Sequence, residues 1–107
     1  MTPKVLIVDD EVDICWLVAF VLRQDPNLAV AGEAIDGEMA VSLVRQERPD
    51  VVLMDVMLPR LDGLESTRRI KREWPDTKVL VLTNLTDDVT RREAFETGAD
   101  AFISKRD

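Results

Sequence analysis

Val5-Leu6-Ile7-Val8, Val51-Val52-Leu53-Met54 and Val79-Leu80-Val81-Leu82 are apolar blocks without a polar member, and each gives way at once to Asp or Thr. A short, β-branched run that is apolar at every position suits a strand covered on both faces, because a half-exposed strand would alternate. Residues 28–34 and Ala101-Phe102-Ile103 read as two weaker strands, the first diluted by Ala29, Ala31 and Gly32. Helical spacing fills the intervals. Residues 12–24 form one segment, closed by Asp25-Pro26-Asn27, and Met39, Ala40, Leu43 and Val44 mark the next. Leu64, Thr67, Ile70, Lys71 and Trp74 mark a third, and Val89, Arg92, Ala94 and Phe95 a fourth that runs to Gly98. Asp36-Gly37 and Asp62-Gly63 read as turns, and Asp87 and Asp88 sit where a helix amino end favours negative charge. Strand and helix alternate at about one unit per 20 to 25 residues, which predicts parallel neighbours, right-handed crossovers and helices on both faces of one sheet.

A chain of 107 residues, 46% hydrophobic, supports one such domain over residues 1–107 and has no room for a second. Its 21 acidic against 14 basic side chains give a net charge of −7. That charge repels nucleic-acid phosphate and anionic lipid, so DNA contact is expected only through another module. A single cysteine and no histidine exclude an internal disulfide and the common His-containing zinc sites. With neither a signal-peptide pattern nor an apolar run of about 20 residues, the expected location is the cytoplasm, away from the membrane.

In a parallel sheet the residues that follow the strands gather at one edge, where this architecture binds ligands. Here they are Asp9, Asp10, Asp55, Thr83 and Lys105. Strand ends are commonly polar for solvation alone, and Asp10 has the further alternative of capping the following helix. As a set, three carboxylates in one cleft repel each other unless a cation or a lysine lies among them. An all-oxygen site of this kind suits Mg²⁺. Asp55 can then attack a phosphoryl group whose oxygens Lys105 and Thr83 engage.

The ordered set Val8-Asp9-Asp10-Glu11, residues 49–55, Met57, Pro59, Asp62, Gly63, Thr83, Gly98-Ala99-Asp100-Ala101-Phe102 and Lys105 resembles the receiver domain of two-component response regulators. The strand containing Gly32-Glu33-Ala34 resembles the NarL/LuxR-type subgroup. The resemblance implies a flavodoxin-like, doubly wound five-stranded parallel sheet of order 2-1-3-4-5. It implies a phosphoacceptor switch in which a sensor histidine kinase phosphorylates Asp55. Asp9, Asp10, Asp55 and the Met57 backbone carbonyl would hold Mg²⁺. Lys105 and Thr83 would bind the phosphoryl group, and Phe102 would change rotamer as Thr83 moves. The output would pass to a C-terminal, DNA-binding effector. The chain would be no enzyme beyond slow loss of its own phosphate. The alternative is a receiver-like scaffold that binds proteins without being phosphorylated.

Three features depart from the family pattern. Asn84 replaces the usual small residue after the threonine, where it would hinder the attacking water or donate a hydrogen bond to the phosphoryl group. The chain ends at Asp107, before the family's last helix, which leads us to expect a domain truncated after strand 5, prone to self-association or domain exchange. The first helix is apolar nearly all round. A 100° wheel puts Ile14, Val18, Val21 and Leu22 toward the sheet and Trp16 and Phe20 outward, and makes Cys15, Trp16 and Phe20 candidate interface residues.

Overall fold

The computed structural model describes residues 2–56, 62–83 and 88–104. Its elements alternate strictly: β1 Lys4–Val8, α1 Val12–Arg23, β2 Ala29–Ala34, α2 Gly37–Glu47, β3 Val51–Asp55, α3 Gly63–Glu73, β4 Lys78–Thr83, α4 Asp88–Glu96 and β5 Ala101–Ser104. Every strand pair is parallel, and the order is β2-β1-β3-β4-β5. This is the doubly wound, flavodoxin-like sheet expected, with β1 and β3 adjacent at the point where the winding reverses.

The period of two along each strand divides the apolar blocks between the two faces. Leu6, Val8, Val52, Met54, Val79 and Val81 are buried with Ala40, Val44, Ile70 and Ala94 from α2, α3 and α4. Ile7 faces the other way, onto Cys15 and Ala19 of α1, with Val18, Leu22, Val30 and Leu53 partly buried around them. The α1 face is the thinner of the two among the described residues. An apolar cleft of about 280 Å³ lies beside α1, lined by Ile7, Ile14, Val18, Leu53 and Leu82.

Two assignments on α1 need correction. Cys15 is buried against the sheet rather than offered as an interface, and Val21 is exposed rather than sheet-facing. A wheel orders side chains around a helix without saying which arc meets the sheet, and size decides that here. Cys15 and Ala19, one turn apart and both small, occupy the line of closest approach, which rotates Val21 outward. Trp16 and Phe20 do point away from the core.

The two Asp-Gly pairs are helix starts rather than free turns. Asp36 accepts the Met39 N–H at 2.8 Å, and Asp62 accepts the Glu65 N–H at 2.8 Å, each satisfying an amide that the first helical turn leaves unpaired. At its other end α2 closes on Arg48, in the left-handed region at φ 48°, with Pro49 following. Trp74 lies just past α3 rather than within it, at φ −131°.

A lysine fastens the start of β4 and β5 to α3. Lys71 Nζ donates to Pro75 O at 2.9 Å, Thr77 O at 2.8 Å and Asp100 Oδ2 at 3.0 Å, while the Val79 N–H donates to the same Asp100 oxygen at 2.8 Å. Burial pushes the Asp100 pKa up. The Val79 N–H together with the Lys71 and Lys78 charges outweighs that and holds it below the ordinary carboxylate range.

Candidate functional site

Because all five strands run the same way, their carboxyl ends share one edge, and the backbone delivers the acidic residues there. β1 ends at Val8, and the Asp9 N–H still reaches Ala34 O of β2 at 3.0 Å, which holds Asp9 in line with the sheet. Asp9 is 4% exposed and accepts the Glu11 N–H on Oδ1 at 3.0 Å. Glu11, the residue before α1, makes no side-chain cap, and the bond from its own N–H to Asp9 shapes the loop ahead of the helix rather than capping it. Asp10 is exposed. Asp55 is the last residue of β3, 7% exposed and in register with Leu82 of β4.

One oxygen from each of Asp9, Asp10 and Asp55 lies within 4.8 Å of the others. The donor set is all oxygen and rich in negative charge, and two of its members are nearly buried, which fits a hard divalent cation such as Mg²⁺.

Thr83 ends β4, one residue beyond the Leu82 that pairs with Asp55, and is itself in register with Ser104 of β5. Met57, Asn84 and Lys105 lie outside the described residues. Phe102 pairs with Val81, packs half-buried against the larger core, and has the Arg91 guanidinium 5.3 Å from its ring centroid.

Two positioning residues had no such role in the sequence reading. The Cys15 thiol donates to the Asp9 carbonyl at 3.2 Å, tying the first turn of α1 to the acidic loop. Gly63 permits the closest approach in the site. A Cβ there would fall 2.0 Å from the Asp55 carbonyl oxygen and 2.8 Å from Val56 Cα, and its N–H donates to Val56 O at 3.0 Å. Asp62-Gly63 was visible as a chain-direction signal, but the strand end pressed against that glycine comes from elsewhere in the chain.

A family model for the response regulator receiver domain matches residues 5–107. The chain belongs to the response regulator receiver family. It is 42% identical over 103 residues to a protein-glutamate methylesterase/protein-glutamine glutaminase of Myxococcus xanthus, covering 95% of this chain and 29% of that protein. It is 35% identical over 105 residues to the response regulator VraR of Staphylococcus aureus, covering 98% of this chain and 50% of VraR. A LuxR-family two-component response regulator from Aurantimonas superposes with a TM-score of 0.91 at 31% identity, covering 98% of this chain and 75% of that one. The chain thus spans half or less of these curated relatives. Receiver domains as a class bind Mg²⁺ at an acidic pocket and are generally not enzymes, and the similarity to the methylesterase is confined to under a third of that protein. Among the described residues no helix is long and apolar enough to cross a membrane.

Proposed function

We propose that this receiver is a phosphoacceptor switch in which Asp55 takes a phosphoryl group from the phosphohistidine of a sensor histidine kinase. An Asp55 carboxylate oxygen attacks phosphorus, the P–N bond breaks, and the histidine nitrogen leaves with the bonding pair and takes up a proton. The observation that carries this reading is the three-carboxylate cluster at the β1 and β3 ends, with Asp55 at the strand terminus. Asp9, Asp10 and Asp55, with the Met57 carbonyl, are assigned to Mg²⁺, which when bound offsets charge on the transferring oxygens. Asp9 is held for that task by its own bonds to the Glu11 and Ala34 backbone. Thr83 and Lys105 are assigned to the phosphoryl oxygens, and Phe102 to a packing change that follows Thr83. Asn84 is assigned to the phosphoryl group's hydrolysis.

The charge added at Asp55 shifts a balance between two surfaces on the α4 side. A cytoplasmic regulator of the NarL/LuxR type, with a DNA-binding effector in the full-length protein, suits the similarity to VraR and to the LuxR-family regulator. Incubation with acetyl phosphate and Mg²⁺ followed by intact mass is the test. One added phosphoryl group that disappears in Asp55→Asn is expected, since an amide is a far poorer nucleophile. An unmodified wild type refutes the switch and leaves a binding scaffold.

A further inference from the structure

Arg91 of α4 reaches across to β5. Its guanidinium carbon lies 5.3 Å from the centroid of the Phe102 ring, within the range of a cation–π contact. Ala94, one turn further along, is fully buried and seats α4 on the sheet, whereas Arg91 is exposed and among the described residues makes no ion pair. Phe102 is half-buried against the larger core and pairs with Val81, two residues before the Thr83 that ends β4. The ring is therefore held between an apolar core and a cation that stays in water.

From this contact we infer that Arg91 is a latch on the switch: its guanidinium holds Phe102 in the outer position and so restrains the resting chain from its phosphorylated conformation. The inference rests on the reading of Phe102 as the residue that follows Thr83 when a phosphoryl group arrives. A ring drawn inward only leaves water behind, whereas a guanidinium that followed it into an apolar cluster would have to shed its hydration. Ring and guanidinium therefore part when the ring moves, and the contact stabilises the resting position alone. By linkage, a contact confined to the resting state weakens the binding of a phosphoryl mimic by the factor it contributes. For a cation–π contact at an exposed site that factor is about two- to fivefold.

The sign of the effect separates a latch from plain electrostatics. Arg91 is a cation in a chain of net charge −7, and as a charge alone it would favour an anion at Asp55. Its removal would then weaken anion binding, by little, because an exposed charge is screened beyond about 8 Å at physiological ionic strength. As a latch its removal does the opposite and tightens binding. The neighbouring Arg92 is exposed in the same way and has no ring contact, so it carries the electrostatic effect without the latch.

The test is a titration with beryllofluoride, which in the presence of Mg²⁺ mimics a phosphoryl group on a carboxylate, followed by fluorine NMR. Arg91→Met keeps the apolar stem, removes the charge, and is expected to bind about two- to fivefold more tightly than wild type. In a Phe102→Leu background, which offers no aromatic face, the same substitution is expected to leave the affinity unchanged. Arg92→Met is expected to bind no more tightly than wild type. The side-chain methylene protons of Arg91, shifted upfield by the ring in the unliganded chain, are expected to return to ordinary positions at saturation. Circular dichroism melts check that each variant is folded, and should Phe102→Leu fail to fold, the sign of the Arg91→Met effect and the methylene shifts decide. An Arg91→Met variant that binds as wild type does, or more weakly, overturns the inference. So does a tightening that survives in Phe102→Leu, or an upfield shift that persists at saturation. Each of these leaves the phosphoacceptor reading standing, because the chain has then bound the mimic, whereas a wild type that binds none overturns both.

Discussion

Gly63→Ala is the sharpest probe of how the fold holds Asp55, because one methyl group is added and its collision partner is backbone. The new carbon would sit 2.0 Å from the Asp55 carbonyl oxygen, whereas carbon and oxygen in contact lie about 3.3 Å apart, so α3 and the end of β3 must separate by about 1.3 Å. Neither partner is a flexible side chain, and overpacking against rigid neighbours costs about 1–3 kcal/mol, sometimes more. Against this stands the gain from replacing glycine in a helix, at most about 1 kcal/mol and smaller at the first helical position. The net loss is about 2 kcal/mol, which lowers the melting temperature of a domain this size by about 10 °C. Urea unfolding at constant m-value measures the loss. The displaced Asp55 should also bind Mg²⁺ less tightly, read as a smaller rise of the midpoint with added Mg²⁺. A Gly63→Ala variant as stable as wild type, with an undiminished Mg²⁺ response, refutes the close-packed β3–α3 junction.

Two further outcomes follow from the same geometry and a third from the sequence. Mg²⁺ at about 100 times its dissociation constant should stabilise the wild type by about 2.7 kcal/mol at fixed ionic strength, and the gain should vanish in Asp10→Ala; equal responses would place the ion elsewhere. The depressed pKa of Asp100 means that its carboxylate stabilises the fold above the unfolded value of 3.8, a contribution lost as pH falls through the lower folded value. Asp100→Asn should therefore be less stable by about 1 kcal/mol near neutrality and show a shallower decline below pH 3.8, and a pH profile parallel to wild type would contradict the Lys71 and Val79 contacts. Asn84→Ala should change the rate at which phosphorylated Asp55 is hydrolysed, measured by loss of the phosphoryl mass over time, and an unchanged rate would free Asn84 of that role.

The α/β alternation was legible in the chain because burial on both faces leaves an unmistakable local pattern: apolar runs closed by Asp or Thr, with helical spacing between. Parallel strands then place every strand terminus on one edge, so Asp9, Asp10 and Asp55 were readable as neighbours although 46 residues separate Asp9 from Asp55. Strand order was accessible only through resemblance, since alternation alone is compatible with more than one winding. Three matters belonged to tertiary structure. Packing chose the arc of α1 that meets the sheet, because the nearly uniform apolarity of residues 14–22 carries no moment strong enough to orient the helix, and the small Cys15 and Ala19 took the contact. The need for Gly63 arose from the Asp55 carbonyl, and the depressed pKa of Asp100 from Lys71 and Val79, partners 29 and 21 residues away. Periodicity records what a residue's own element requires of it, while close approach and charge pairing are set by whatever other element the fold brings alongside.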